Sequence, residues 1–508
     1  MKLAAKSSQV TKYSRYVLWL VILLTAITTR FFELTNKPIH FDESINGWFV
    51  LQMGKVGFYK YDPNNYHGPL YFYILQFFEF LWGRSIATLR AVPATFGVLS
   101  VMLFSFGFLR SRLMQGTALL LVLLSPAFLF FGRSGIHEMP FVFFQMLFAL
   151  GILRWGEEQD NKSLDLLLVG LFGMMTLKET FALTIASFLV GILFLGPKEW
   201  RKQLSWQKLR DAWSVGTTAL VAFLLIFFVA FFTGFMRNPS GILDFVKAFL
   251  PWMKTGMGET GHNKEFLYWV KTLWVAEPLA IIGIVMAFVG LFMRDAPLRL
   301  MSAFSLTHLL LYSLIPYKTV WCILSLVWGF YFVLALFIQK VWTDRPQYKW
   351  AFVAILLAVA PLQLRSDYEA VYRVPISFQH PYVYVNSTYE LKNLQELILA
   401  KLEEKPELRS QIIQIGMKEQ WPWPWVLRFL SGVRYDLCGR TVQPHALVYL
   451  CDNQDRLTVE AELSERYMRI AIPMRQSKET SLVYLQKNIF DGSYHGDYEL
   501  VGPEGDIK

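Results

Sequence analysis

Charge is what this 508-residue chain has little of: only 17% of its residues are Asp, Glu, Lys or Arg, against about 25% in ordinary soluble domains. That shortage, beside 54% hydrophobic residues, excludes a globule wrapped in water. Cysteine is scarcer still. Cys322, Cys438 and Cys451 are too few for a disulfide framework, and Cys438 pairs with Cys451 only if both face an oxidising compartment. Metal-ligand spacing is missing as well, since His137-Glu138 lacks the second histidine of HExxH. No cofactor is required, and a divalent ion is neither demanded nor excluded. The net charge of +10 does not imply nucleic acid, because membrane proteins carry Lys and Arg in their cytoplasmic loops.

What the chain has instead is a series of apolar runs of about 15 to 22 residues, which predict a polytopic α-helical membrane protein. The first, from about Tyr16 to Leu34, ends in ITTRFFEL without a small-residue cleavage motif and reads as a retained helix. Ten more spans fall roughly at 92–109, 116–131, 139–155, 163–177, 179–196, 214–234, 273–293, 299–315, 320–340 and 349–364. With Lys2, Lys6, Lys12 and Arg15 cytoplasmic, LRSRLMQ, RWGEEQDNK, GPKEWRKQLSWQKLR, RDAPLR and QKVWTDRPQYK fall on the same side. The positive-inside rule asks for that. LYFYILQFFEFLWG (70–83) is short, is interrupted by Gln76 and Glu79, and would flip the arrangement if it crossed. It predicts an interfacial or re-entrant helix.

Residues 1–364 thus form a transmembrane domain, with 34–91 its first external loop. In 365–508, TYELKNLQELILAKLEEK reads as an amphipathic helix, and HPYVYVN, RSQIIQIGM, HALVYLCD and YMRIAIPM read as strands. A small extracytoplasmic α/β domain is expected there.

Eleven spans bring Asp42, Glu43, His67, Arg90, Arg133, His137, Glu138, Lys178, Glu179, His262 and Lys318 near one membrane face. Charges at helix ends are costly without a partner or a role, so their convergence predicts a polar site. Each also has a plainer reading. Asp42 and Glu43 suit the start of the amphipathic stretch INGWFVLQMGK, or one of them is a general base beside a like charge. His67 opens an apolar helix or touches substrate. Arg90 snorkels or binds phosphate. Arg133 pairs with Glu138, or joins His137 in the site. GMGETGHNKE, which carries His262, reads as a loop suited to a lid. Lys318, in PYKTVW, anchors the interface or neutralises a phosphate. WPWPWVLRFL is a core corner or a docking surface.

In order, the Asp-Glu pair after the first helix, HGPLYFYILQ, LRAVPATFGVLSVML, FGRSGIHEMPFVFF and PYKTVW resemble the GT-C membrane glycosyltransferase superfamily. The protein O-mannosyltransferase-like branch, glycosyltransferase family 39, is the nearest in pattern. GHNKEFLYW and WPWPWVLR are similar to its prokaryotic flippase-activity-associated subgroup. The resemblance implies a GT-C fold of about 11 transmembrane helices in the cell membrane. It implies transfer of a hexose, with mannose the named candidate, from a polyprenyl-phosphate donor, by inversion. The acceptor would be a protein, glycan or lipid on the extracytoplasmic side. Asp42 matches the family's base, and Arg90 its arginine before the second span. Glu138 stands where the branch commonly has Asp, and Lys318 precedes Thr-Val-Trp instead of Pro-Trp. Two rivals stand beside this reading. A flippase would need polar residues through the bilayer midplane, where the central spans are almost wholly apolar; a non-catalytic partner in glycan assembly is kept open by Glu138.

Overall fold

The structure, a computed structural model, describes residues 2–65, 67–103, 112–195, 205–258, 262–373, 375–376, 379–475 and 480–503. Residues 104–109 of the expected second span, 109–111 of LRSRLMQ, 196–204 of the basic loop and 259–261 of the glycine-rich loop lie outside the described residues. The chain packs as two compact units: Met1–Leu34 with Val50–Tyr382, and Thr35–Phe49 with Val383–Lys508.

The first unit is helical. Its helices are α1 (Lys2–Phe31), the second half of α2 (Phe41–Val56), α3 (Leu70–Trp82), α4 (Ile86–Leu103), α5 (Arg112–Leu123), α6 (Pro126–Phe131), α7 (Glu138–Glu157), α8 (Asn161–Leu177) and α9 (Phe181–Phe194). There follow α10 (Trp206–Ala212), α11 (Val215–Phe232), α12 (Gly241–Lys247), α13 (Phe249–Met257), α14 (Tyr268–Ala276), α15 (Pro278–Gly290), α16 (Ala296–Leu314), α17 (Leu324–Asp344) and α18 (Lys349–Tyr368). Among the described residues, Ile86–Leu103, Glu138–Glu157, Val215–Phe232, Val320–Asp344 and Pro346–Arg373 are long and apolar enough to cross a membrane. Trp19–Phe31, Leu70–Trp82, Phe181–Phe194 and Pro278–Gly290 are shorter apolar helices. The chain is built as a membrane protein. At 13 residues, α3 is about 20 Å long, shorter than a hydrocarbon layer of about 30 Å, as are α9 and α15.

Two expected spans are broken. The run 116–131 parts into α5 and α6 at Ser125, whose hydroxyl accepts the Phe128 amide. The run 273–293 parts into α14 and α15 at Glu277-Pro278, because proline lacks an N–H and disfavours helix in the residue before it. The two breaks form one joint. The Glu277 carboxylate accepts hydrogen bonds from Ser125 Oγ (3.1 Å), the Ala127 amide (2.6 Å), the Tyr382 hydroxyl (2.8 Å) and the Tyr331 hydroxyl.

The bundle interior is less uniformly apolar than its sequence suggested. Gln145 on α7 donates to Thr184 on α9 (2.8 Å) and accepts from the indole of Trp328 on α17 (2.7 Å). His308 on α16 lies 3.3 Å from the same Gln145 amide and 2.9 Å from Ser187. These groups satisfy one another, as interhelical hydrogen bonds in membranes do, and make a fixed joint between four helices.

The second unit opens with Thr35–Phe49 and continues with α19 (Tyr389–Glu404), capped by the Thr388 hydroxyl accepting the Leu391 amide. Its strands are β1 (Ile413–Gly416), β2 (Val433–Arg434), β3 (Val448–Asp452), β4 (Tyr467–Pro473), β5 (Thr480–Gln486) and β6 (Glu499–Val501). They make one mixed sheet in the order β2-β1-β3-β5-β4-β6, parallel around β1 and antiparallel from β3 onward. Cys438 and Cys451 are disulfide-bonded, within a buried cluster that includes Tyr449, Tyr467 and Tyr484.

One expectation is corrected here. HPYVYVN forms no strand: Tyr384 N–H bonds locally to Asn386 Oδ1 (3.2 Å) and Val385 takes φ of 52°, which breaks an extended run. Helix α18 runs through 364/365 into a π-helical turn, Glu369–Arg373, Tyr382 is tied to Glu277, and the C-terminal part of the second compact unit begins at Val383.

Candidate functional site

In the first unit, four turns meet around one buried ion pair. His67 forms an isolated β-bridge with Lys178, and the Gly68 amide donates to Leu177 O (3.0 Å), laying the chain after YDPNNY against the end of α8. Gly68 is required there, since a Cβ would run into the carbonyl oxygen of Thr176. The His67 and His137 rings lie 4.2 Å apart between centroids. Next to His137, Glu138 Oε1 accepts from Lys178 Nζ at 2.6 Å and stands 3.3 Å from His137 Nε2. Lys178 Nζ is also 3.7 Å from Cys322 Sγ, at the start of the α17 segment. Burial, and then the Lys178 charge, hold His137 well below its ordinary value, so its imidazole is neutral near pH 7.

Glu179, expected near this membrane face but given no role of its own, belongs to this cluster. Its Oε1 accepts from the Tyr61 hydroxyl (2.9 Å), and burial pushes its carboxyl up to about 7. The signal available in the sequence was a Lys-Glu pair set between two apolar runs.

Arg90 and Arg133 form a second locus, on the carbonyl end of α1. Arg90 donates to Leu34 O (2.9 Å), and Arg133 to Thr29 O (3.2 Å) and Glu33 O (2.9 Å). Arg133 also lies 5.3 Å from the Tyr372 ring centroid. The Arg133–Glu138 pair is therefore not made, because Glu138 goes to Lys178. Burial lowers Arg133 first; Tyr372 raises it, and the nearby charge of Arg90 lowers it again. Two buried guanidiniums are thus brought together at the end of α1, in a place shielded from water.

His262 and Lys318 form a third locus. The Lys318 amide donates to His262 O (3.1 Å), its ammonium donates to Ile315 O (2.5 Å) and Lys264 O (3.3 Å), and the His262 ring stands edge-on to Tyr317. The ammonium sits at the C-terminus of α16, where a cation is favoured, and burial lowers its pKa.

In the second unit the Asp42-Glu43 pair divides. Glu43 Oε2 accepts the His40 amide (2.8 Å), the backward reach of a capping box, and Glu43 is fully buried. Asp42 is half-buried; its amide donates to His40 Nδ1 (3.1 Å), and His40 Nε2 lies 2.9 Å from Tyr384 O. Burial, and then Asp42, raise the Tyr384 hydroxyl. Trp421 packs edge-on against Phe41 and Trp48, Trp423 and Trp425 are buried, and Arg475 lies 4.1 Å over the Phe41 ring. WPWPWVLRFL is a core corner. Among the described residues, no three His, Cys, Asp or Glu side chains are arranged to hold a metal ion.

No protein-family model matches the chain, and no curated protein matches its sequence. Its structure is similar to that of ArnT from Cupriavidus metallidurans bound to undecaprenyl phosphate, with TM-score 0.64 and 13% identity over 92% of this chain and 97% of that one. The apo state of the same protein gives 0.61 and 13%, over 92% and 98%. The Archaeoglobus fulgidus oligosaccharyltransferase in complex with zinc and sulfate gives 0.50 and 13%, over 92% and 72%. At such identity the likeness is one of fold. The chain shares the fold of ArnT over most of both lengths, which agrees with the kind of fold that the sequence resemblance implied.

Proposed function

We propose that the chain is a membrane glycosyltransferase that moves a hexose, in the manner of the mannosyltransferase-like branch, from a polyprenyl-phosphate donor to an extracytoplasmic acceptor. The observation that carries this reading is the gathering of His67, His137, Glu138, Lys178 and Glu179 at one end of an apolar bundle. The fold is shared with a protein whose crystal structure holds undecaprenyl phosphate. A lipid-linked sugar can be met only where hydrocarbon and polar groups adjoin, and this end of the bundle supplies both.

Asp42 takes the acceptor hydroxyl proton as the oxygen attacks the anomeric carbon, and polyprenyl phosphate leaves from the opposite face with inversion. A phosphate ester with a second pKa near 6 needs no general acid, only cations to hold its growing charge. Arg90 and Arg133 fill that role. The neutral His137 and its neighbour His67 offer hydrogen bonds to sugar hydroxyls. Lys318 and His262, engaged with each other's turn, position that hairpin. About eleven crossings with cytoplasmic basic loops would put the polar end outside. The Cys438–Cys451 disulfide supports an oxidising surrounding for the second unit.

The test is transfer of radiolabelled hexose from a synthetic prenyl-phosphate donor by purified protein. Turnover with at least one hexose is expected, and Arg90→Ala should raise the donor KM more than the acceptor KM. No turnover with any donor–acceptor pair would leave the non-catalytic partner as the better reading.

A further inference from the structure

At the other end of the same helices lies a cavity of about 420 Å³. Phe148, Ile152 and Trp155 of α7, Leu164 and Leu168 of α8, and Leu209 of α10 are among its lining residues. On α7 the polar cluster holds the first residue, Glu138, and the cavity the last turns. Their separation is about 15 to 26 Å at 1.5 Å per residue. On α8 the order is reversed, with Leu164 near the start and Lys178 just past the end. Cavity and cluster are therefore separated by much of a hydrocarbon layer of about 30 Å.

The wall decides what the cavity can hold. Ser205 contributes the one hydroxyl among its described lining residues, and the indole N–H of Trp213 already donates to Thr218 (2.8 Å). A water molecule needs two to four polar partners, and a polar ligand needs fixed groups to orient it. Beyond Ser205 and Trp213, the described lining side chains add only the indole N–H groups of Trp155 and Trp206, too few to hold either. A hydrocarbon chain needs no hydrogen bonds and gives the lining side chains dispersion contacts. The rim continues into apolar surface, with Leu189, Trp206 and Trp213 all exposed, and a bilayer covers such surface with acyl chains. Helix α10, WQKLRDA, lines the cavity with Trp206 and Leu209 and also carries Lys208 and Arg210, the composition of a helix lying at a headgroup interface.

We infer that this cavity binds one acyl chain of a glycerophospholipid from the leaflet on its own side, with the headgroup beside Trp206–Ala212. This depends on the membrane location alone and stands or falls apart from the glycosyltransferase reading. The prenyl chain of a donor is a different occupant, since its phosphate would belong at the opposite end of α7.

The experiment is photolabelling of the full chain in phosphatidylethanolamine–phosphatidylglycerol nanodiscs. A phospholipid with a diazirine at the end of its acyl chain is the probe, and labelled peptides are mapped by mass spectrometry. Labelling of 148–168 and 205–213 at least fivefold above that of α11, which also faces lipid, is expected. Ile152→Trp, which fills the cavity, should reduce that labelling severalfold; the wild-type map stands as a test even if this variant misfolds. Uniform labelling of all lipid-facing helices would overturn the inference. So would displacement of the probe by polyprenyl phosphate, or cross-links from these segments to a second copy of the chain.

Discussion

Glu138 and Lys178 occupy a place where neither would be tolerated alone. Both are buried, and removing one partner leaves an uncompensated charge, a loss of about 3–5 kcal/mol. Glu138→Gln should therefore lower stability by roughly that amount in denaturant titrations of the detergent-solubilised protein, and Glu138→Met with Lys178→Met should recover most of it. Glu179 gives a pH signature. Its folded pKa of about 7 lies above the ordinary carboxylate value, so the folded state binds the proton more tightly than the unfolded state. The stabilisation from this group is complete below the ordinary carboxylate pKa and is lost as pH rises towards and through about 7. The melting temperature of the wild type should fall across that interval more than that of Glu179→Gln.

At this scale the sequence showed which residues were charged in apolar surroundings, and why that matters. It did not show their partners. Glu138 chose Lys178, 40 residues away, over the nearer Arg133, and nothing local encodes that choice. The roles of Asp42 and Glu43 separate only once the His40 amide is seen pointing at one carboxylate.

Helices were the legible elements, because a run of apolar residues long enough for a bilayer leaves the backbone no other way to satisfy its hydrogen bonds. Breaks were not. The Glu277-Pro278 dipeptide marked one, but its union with the Ser125 break depends on side chains brought together from α6, α17 and Tyr382. In the second unit β1, β3 and β4 were legible from their hydrophobic runs, whereas TSLVYLQ, which forms β5, was passed over and HPYVYVN was read as a strand it does not form. Close approach at the His67 turn gives an element-scale prediction. Gly68→Ala should cost about 1–3 kcal/mol, because the new methyl meets backbone that cannot rotate away. It should lower hexose transfer as well, by displacing His67 from Lys178. A stable variant with full transfer would show that the His67 turn plays no part in the site.

For the whole molecule, the two units rest on different physics. The first is held by helices in hydrocarbon and a few internal polar joints, the second by a mixed sheet with a disulfide in its core. Peptide mapping without reduction should recover Cys438 linked to Cys451, while Cys322, half-buried beside Lys178, remains a thiol. Recovery of all three as thiols from protein made in its native membrane would remove the support for an oxidising surrounding. The account as a whole turns on Asp42 acting as the base while its neighbour caps a helix. The most direct measurement is therefore hexose transfer from a prenyl-phosphate donor by Asp42→Asn and Glu43→Gln, side by side with their melting temperatures. Asp42→Asn is predicted to fold like the wild type and to lose transfer by at least a thousandfold, while Glu43→Gln melts lower and keeps turning over. Wild-type transfer by a well-folded Asp42→Asn would contradict the account.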